Sequence, residues 1–261
     1  MTSKACGWCA PKPHLPFIAD NNGFFSDFDC DLSYGLGVCG GCGGLGIQVE
    51  NEDFSERAKK IMHLRFVYCP TDTRLPTPPM CLRLRALKEL KKELAEHYQL
   101  YGEGRESYAK YLLDTKLDQL VMTHEQSIEK EVERYTQTPD PSDEQIKTLR
   151  QALLASVRGD LDQAESLFRE RAEQMQNSIA WHDLGTFFGM YRRDVERTIE
   201  CYKMSCTLEP KKTLHFFELA RILLLFERNQ EAIPFLRQAI ECEDFAMCDE
   251  SITIPISIML S

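Results

Sequence analysis

The sequence predicts a mostly α-helical protein in which a stack of repeated helix pairs follows a Cys/Gly-rich, largely irregular N-terminal module. Three observations carry this expectation. Gly, Pro and Cys crowd the chain up to position 80, and apolar side chains recur at helical spacing from Leu82 onward. Small and large apolar side chains then recur with a 34-residue period between Ala164 and Leu236.

The first observation divides the chain. Residues 1–80 hold nine of the fourteen glycines and seven of the twelve prolines, and seven of the eleven cysteines lie at or before Cys81. Such a composition favours turns, because Gly is conformationally permissive and Pro removes a backbone donor. The Pro-rich run from Pro70 to Pro79 marks the boundary. The expected organisation is residues 1–80 as a Cys/Gly-rich module, 81–142 as a long helical hairpin or cap, 143–246 as three repeats, and 247–261 as an apolar tail. Within the cap, one helix runs from Leu82 to about Tyr101 and ends at Gly102 and Gly104. A second runs from about Glu106 to Tyr135 and stops before Thr138-Pro139-Asp140-Pro141, with Ser142 available to cap the next helix.

The 34-residue period rests on two sets of positions. Ala164, Thr198 and Ala232 are all small, and Phe168, Tyr202 and Leu236 are all large and apolar. Each set marks a tight turn followed by a helix whose small residue admits a partner helix at close range. The clearest preceding helix reads Trp181-His182-Asp183-Leu184-Gly185-Thr186-Phe187-Phe188. Its counterpart reads Phe216-Phe217-Glu218-Leu219-Ala220-Arg221-Ile222-Leu223, with Ala220 in the place of Gly185. The first of these begins one residue early relative to a strict period, which predicts an inter-helix turn longer by one residue.

On these residues the chain resembles the tetratricopeptide repeat family. Trp181, Leu184, Gly185, Phe188, Tyr202 and Pro210 match in one unit, and Leu219, Ala220, Ala232 and Ala239 in the next. The first unit, about Asp143 to Gln176, matches less fully through Ala152, Gly159, Ala164 and Phe168. The resemblance implies a right-handed α–α superhelix, with first helices lining a concave groove that takes peptides, helices or whole partner proteins. The Lys and Asn clamp that some members use on acidic chain ends is missing, since Leu149 and Leu153 stand at the matching positions. The expected groove residues are His182, Thr186, Gly189, Phe217 and Arg221.

In the N-terminal module, Cys6-Gly7-Trp8-Cys9 and Cys39-Gly40-Gly41-Cys42 are two C-x-x-C pairs, separated by positions 10–38. Each pair can direct two thiolates at one ion, and four soft ligands suit zinc or an iron–sulfur cluster. The expected metal ligands are Cys6, Cys9, Cys39 and Cys42, with Cys30, Cys69 and Cys81 as spare sulfurs and His14 or His63 as nitrogen substitutes. Zinc is the first expectation, because nothing else points to electron transfer. A redox thiol pair, disulfides and reduced thiols without metal stay open as alternatives. The remaining cysteines, Cys201, Cys206, Cys242 and Cys248, read as small core residues.

No catalytic constellation emerges, so the expectation is a non-enzymatic scaffold, a subunit or assembly factor of a multi-subunit complex. The alternative is a redox or iron–sulfur protein whose repeats hold its client. His97 and His124 read as surface or interface residues. With 31 Lys+Arg against 41 Asp+Glu the net charge is −10, which disfavours nucleic acid as a partner. No apolar run reaches the roughly 18 residues of a membrane span, and the first residues lack the pattern of a secretory signal. The chain is therefore expected to be soluble and intracellular, in cytoplasm or an organelle lumen. The tail Ser251–Ser261 alternates Ile with Thr, Ser and Pro, and is expected to fold back on the last repeat or to dock into a partner.

Overall fold

The computed structural model describes residues 3–5, 41–68, 77–137 and 141–245, and these are mostly helical. Backbone proximity divides the chain into two units, Met1–Thr73 with Thr77–Glu131, and Arg74–Pro76 with Val132–Ser261.

The first unit begins with β1 (Ser3–Ala5), which pairs antiparallel with β2 (Ile47–Val49), Lys4 lying opposite Gln48. β2 leads into α1 (Glu52–Tyr68), whose first turn is capped by Asn51, the side-chain oxygen accepting from the Asp53 amide at 2.8 Å. This helix corrects the expectation of a largely irregular stretch up to residue 80. Phe54, Ile61 and Tyr68 recur at heptad spacing on one buried face. α2 (Met80–Tyr101) starts after Pro79 and ends at Gly102, as its breakers predict. It sets Leu87, Leu90 and Leu94 against the α1 face. α3 (Tyr108–Tyr111) opens on Ser107, whose hydroxyl accepts from the Lys110 amide, and continues through the π-helical turn Leu112–Lys116 into α4 (Leu117–Gln137). Leu112, Leu117 and Leu120 close the same core. Arg57–Glu96 (3.0 Å), Lys60–Glu93 (2.7 Å) and Lys88–Glu125 (2.6 Å) pair across its rim.

His97 and His124 belong to this core rather than to the surface. His97 has 0% exposure, its ring lies 4.9 Å from Phe54 and 5.4 Å from Tyr101, and its Nε2 donates to the Cys42 carbonyl at 3.1 Å. Its Nδ1 is buried without a hydrogen-bond partner among the described residues. Burial holds the imidazole pKa below its ordinary 6.5. The folded ring therefore stays neutral where the unfolded one takes a proton. Stability is full above about pH 6.5 and falls as pH drops below that value. Hydrogen-exchange protection of α1 and α2, corrected for intrinsic rate, is expected to fall between about pH 7.5 and 5.5. His97→Gln, which keeps a donor and cannot titrate, is expected to flatten that fall; an equal loss in both proteins refutes the assignment.

Among the described residues the second unit contains three helix pairs. α5 (Glu144–Arg158) is followed by α6 (Leu161–Met175). α7 (Ser178–Phe187) extends through the π-helical turn Phe188–Arg192 and is followed by α8 (Val195–Leu208). α9 (Thr213–Leu225) is followed by α10 (Asn229–Glu241). The cap of α5 is Asp143, accepting from the Gln145 amide at 2.8 Å, where the sequence suggests Ser142. Ala164, Thr198 and Ala232 are buried, as are Phe168, Tyr202 and Leu236.

The backbone shares that spacing at positions with no common side chain. Gly159, Arg193 and Glu227 stand one repeat period apart, and all adopt left-handed conformations, with φ of 84°, 57° and 60°. Two of these turns are the same double-bonded helix stop. Asp160 N–H reaches Ala155 O and Gly159 N–H reaches Ser156 O, while Arg228 N–H reaches Leu223 O and Glu227 N–H reaches Leu224 O. In the middle pair Asp194 N–H instead reaches back one residue further, to Phe188 O at 3.2 Å. The extra residue read from the sequence is thus absorbed as a π turn at the end of the first helix, and the turn itself is not lengthened.

Candidate interaction groove

The π turn shapes the wall of a trough in the second unit. Along α7, its π extension and the left-handed residue that ends it, His182, Thr186, Met190 and Arg193 lie three or four residues apart. α9 presents Glu218, Arg221, Ile222 and Leu225 at the same kind of spacing from the other side, followed by Phe226 just past its end. Val195, Thr198 and Tyr202 of α8 form the floor. The cavity is about 480 Å³, within the range of sites that hold a ligand or a few side chains.

Its polar end is ordered by ring packing. The His182 imidazole stacks on Tyr202 at 5.0 Å and 18°, and the Tyr202 hydroxyl lies 3.2 Å from Thr186 Oγ1. Burial, with the nearby His215 second, lowers the His182 pKa and so favours the neutral imidazole. Its Nε2 is buried with no hydrogen-bond partner among the described residues. Arg221 is 46% exposed and pairs with Glu218, both guanidinium contacts (3.0 and 2.6 Å) going to a single carboxylate oxygen. The other end is apolar and open, where Met190 and Phe226 are 37% and 41% exposed. The arrangement offers apolar contact, one neutral acceptor or donor and a cation.

Of the residues expected to line a groove, His182, Thr186, Gly189 and Arg221 border this cavity. Phe217 does not. It is 6% exposed and belongs to the core that includes Leu219, Leu223 and Leu236. Met190, Arg193 and Phe226 escape the sequence reading, and the one-residue offset between Gly185 and Arg193 is the available signal for the first two.

Of the expected metal ligands only Cys42 is described; Cys6, Cys9 and Cys39 lie outside the described residues, with Cys30, Cys69 and His14. Cys42 is buried in the first unit's core, Cys81 is buried on α2, and His63 is exposed on α1. Among the described residues no three His, Cys, Asp or Glu side chains are grouped as metal ligands. Cys201 and Cys206 are buried within α8, and burial pushes each thiol up to about 12, which makes them inert packing groups at neutral pH. Cys248 and the tail 247–261 lie outside the described residues. No described helix is long and apolar enough to cross a membrane.

No protein-family model matches the chain, and no curated protein is detectably similar to it.

Proposed function

We propose that the protein is a non-catalytic interaction module whose three helix pairs act as tetratricopeptide-type repeats, stacked as a solenoid, within a multi-subunit assembly. Such a stack suits this sequence because no single pair buries its apolar face alone and each neighbour supplies the missing half. The observation that carries the reading is the trough between α7 and α9, where exposed Met190 and Phe226 adjoin an ordered polar end. Patches of this kind, apolar with a polar rim, mark sites that are covered by another segment. The proposal includes a zinc-stabilised N-terminal module held by Cys6, Cys9, Cys39 and Cys42, with an iron–sulfur cluster as the other metal these ligands suit.

One preparation tests both parts. The full chain is expected to carry one zinc by metal analysis. It is also expected to retain a protein partner whose cross-links map to residues 182–193 and 218–226. Met190→Asp and Arg221→Glu should each weaken that association by about tenfold or more, since truncating or reversing a central contact costs at least about 1.4 kcal/mol. Association unchanged in both variants, with cross-links elsewhere, refutes the groove; absence of metal refutes the zinc module.

A further inference from the structure

The polar end of the trough carries an ion pair that is only half used. Glu218 and Arg221 lie three residues apart on α9, and both border the cavity. Arg221 Nε and Nη2 donate to one carboxylate oxygen, Glu218 Oε2, at 3.0 and 2.6 Å. Glu218 Oε1 and Arg221 Nη1 make no hydrogen bond among the described residues. Beside the pair, the Thr186 and Tyr202 hydroxyls bond each other at 3.2 Å, and His182 stacks on the Tyr202 ring. Among the described residues the only other charged side chain bordering the cavity is Arg193, which already has an interaction of its own.

A ligand that covers this end strips water from both unused atoms, so it has to replace the hydrogen bonds they lose. A carboxylate meets Nη1 but brings its charge against Glu218, whose side chain is only 18% exposed. An ammonium or guanidinium group meets Oε1 but stands against Arg221. An uncharged amide supplies an acceptor for Nη1 and a donor for Oε1, with no like-charge contact. A side-chain amide suits the pair better than a backbone one. A trans peptide points its N–H and C=O to opposite sides, while a primary carboxamide presents them side by side.

The apolar end sets the spacing. Leu225 and Phe226 follow Arg221 by four and five residues, about 6–8 Å along the axis at 1.5 Å per residue. In an extended segment, residues i and i+2 share one side and stand roughly 7 Å apart. A large apolar side chain two residues from the amide therefore reaches the part of the trough where Met190 and Phe226 are exposed.

We infer that the trough takes an extended partner segment, uncharged over its contact, with an Asn or Gln side chain on the Glu218–Arg221 pair and a large apolar side chain two residues away on Met190 and Phe226. This selectivity rests on the reading of the trough as an interaction groove.

The test is calorimetric titration of the full chain with three end-blocked peptides, Ser-Phe-Ser-X-Ser-Phe-Ser, in which X is Gln, Glu or Lys. A phenylalanine on each side of X makes the set indifferent to chain direction. The Gln peptide is expected to bind at least tenfold more tightly than the other two. Glu218→Gln should raise the Glu peptide above the Gln peptide, because a carboxylate then faces Arg221 alone. Arg221→Gln should raise the Lys peptide above the Glu peptide. Circular dichroism checks the helix content of both variants, and the ranking on the unaltered chain decides by itself where a variant fails to fold. Equal affinity for the three peptides, tightest binding by the Glu or Lys peptide, or no binding by any, overturns the inference. So does a ranking that stays the same in both folded variants. The groove reading fails separately, when partner cross-links and affinity ignore Met190→Asp and Arg221→Glu whatever the peptides do.

Discussion

Replacing Gly185 with valine is expected to destabilise the second unit by about 3 kcal/mol, the upper part of the usual range for overpacking a filled core. A β-carbon at position 185 would lie 2.7 Å from two ring carbons of Tyr202 and 3.1 Å from Cys201 Cβ. Neither neighbour can yield cheaply. The Tyr202 ring is buried, stacked on His182 and tied through its hydroxyl to Thr186. Cys201 Cβ is held directly by the backbone of α8. A helical glycine otherwise invites replacement, since alanine gains about 1 kcal/mol of helix propensity, so the sign of the result reports the close approach of α7 to α8. The urea midpoint should fall with little change in slope. A midpoint at or above the unaltered value would show that the two helices separate without cost. The counterpart position in α9 carries Ala220, buried at 0% exposure, so a β-carbon is accommodated there.

Phe217→Ala is the second large effect, an expected loss of about 3–5 kcal/mol from deleting a buried ring and leaving a cavity. For a unit of this size that lowers Tm by about 10 °C or more. The contrast is Arg221→Glu, one helical turn along α9. Arg221 is half exposed, but Glu218 is only 18% exposed and would face the reversed charge, so the cost is expected to be about 1–2 kcal/mol, well below that of Phe217→Ala. Paired thermal unfolding of the two variants separates the roles. A Phe217→Ala protein with unaltered Tm but weakened partner binding would return Phe217 to the groove.

These two residues show where periodicity ceases to inform. α9 reads Thr213-Leu214-His215-Phe216-Phe217-Glu218-Leu219-Ala220 and continues with Ile222-Leu223-Leu224-Leu225, apolar on nearly every side. In such a helix a helical period names no unique buried face. Position 217 corresponds to 182 in the preceding pair, and His182 borders the trough while Phe217 sinks into the core. The same limit conceals α1. Its amphipathic spacing of Phe54, Ile61 and Tyr68 is present, but Gly, Pro and Cys dominate the composition of the chain before the Pro-rich boundary. His97 is misread for a related reason. A histidine on a charged helix is usually solvated, and only the approach of the Cys42 carbonyl and the Phe54 ring makes a buried site for it.

Local features are legible in the order of residues alone. They include the helical character from Leu82, the stop at Gly102, the break at Pro139 and Pro141, and the periodic recurrence of small and large buried side chains. Propensity, capping and apolar spacing act within a few turns, so no distant contact is needed to read them. Packing across the fold settles the rest. It turns one surplus residue into the π turn Phe188–Arg192, bends Arg193 and Glu227 into left-handed stops without glycine, and sends Phe217 inward while leaving Met190 and Phe226 exposed. Those outcomes depend on which surfaces meet between segments far apart in the chain, and close packing between helices, rather than any residue's own preference, carries the larger free energy.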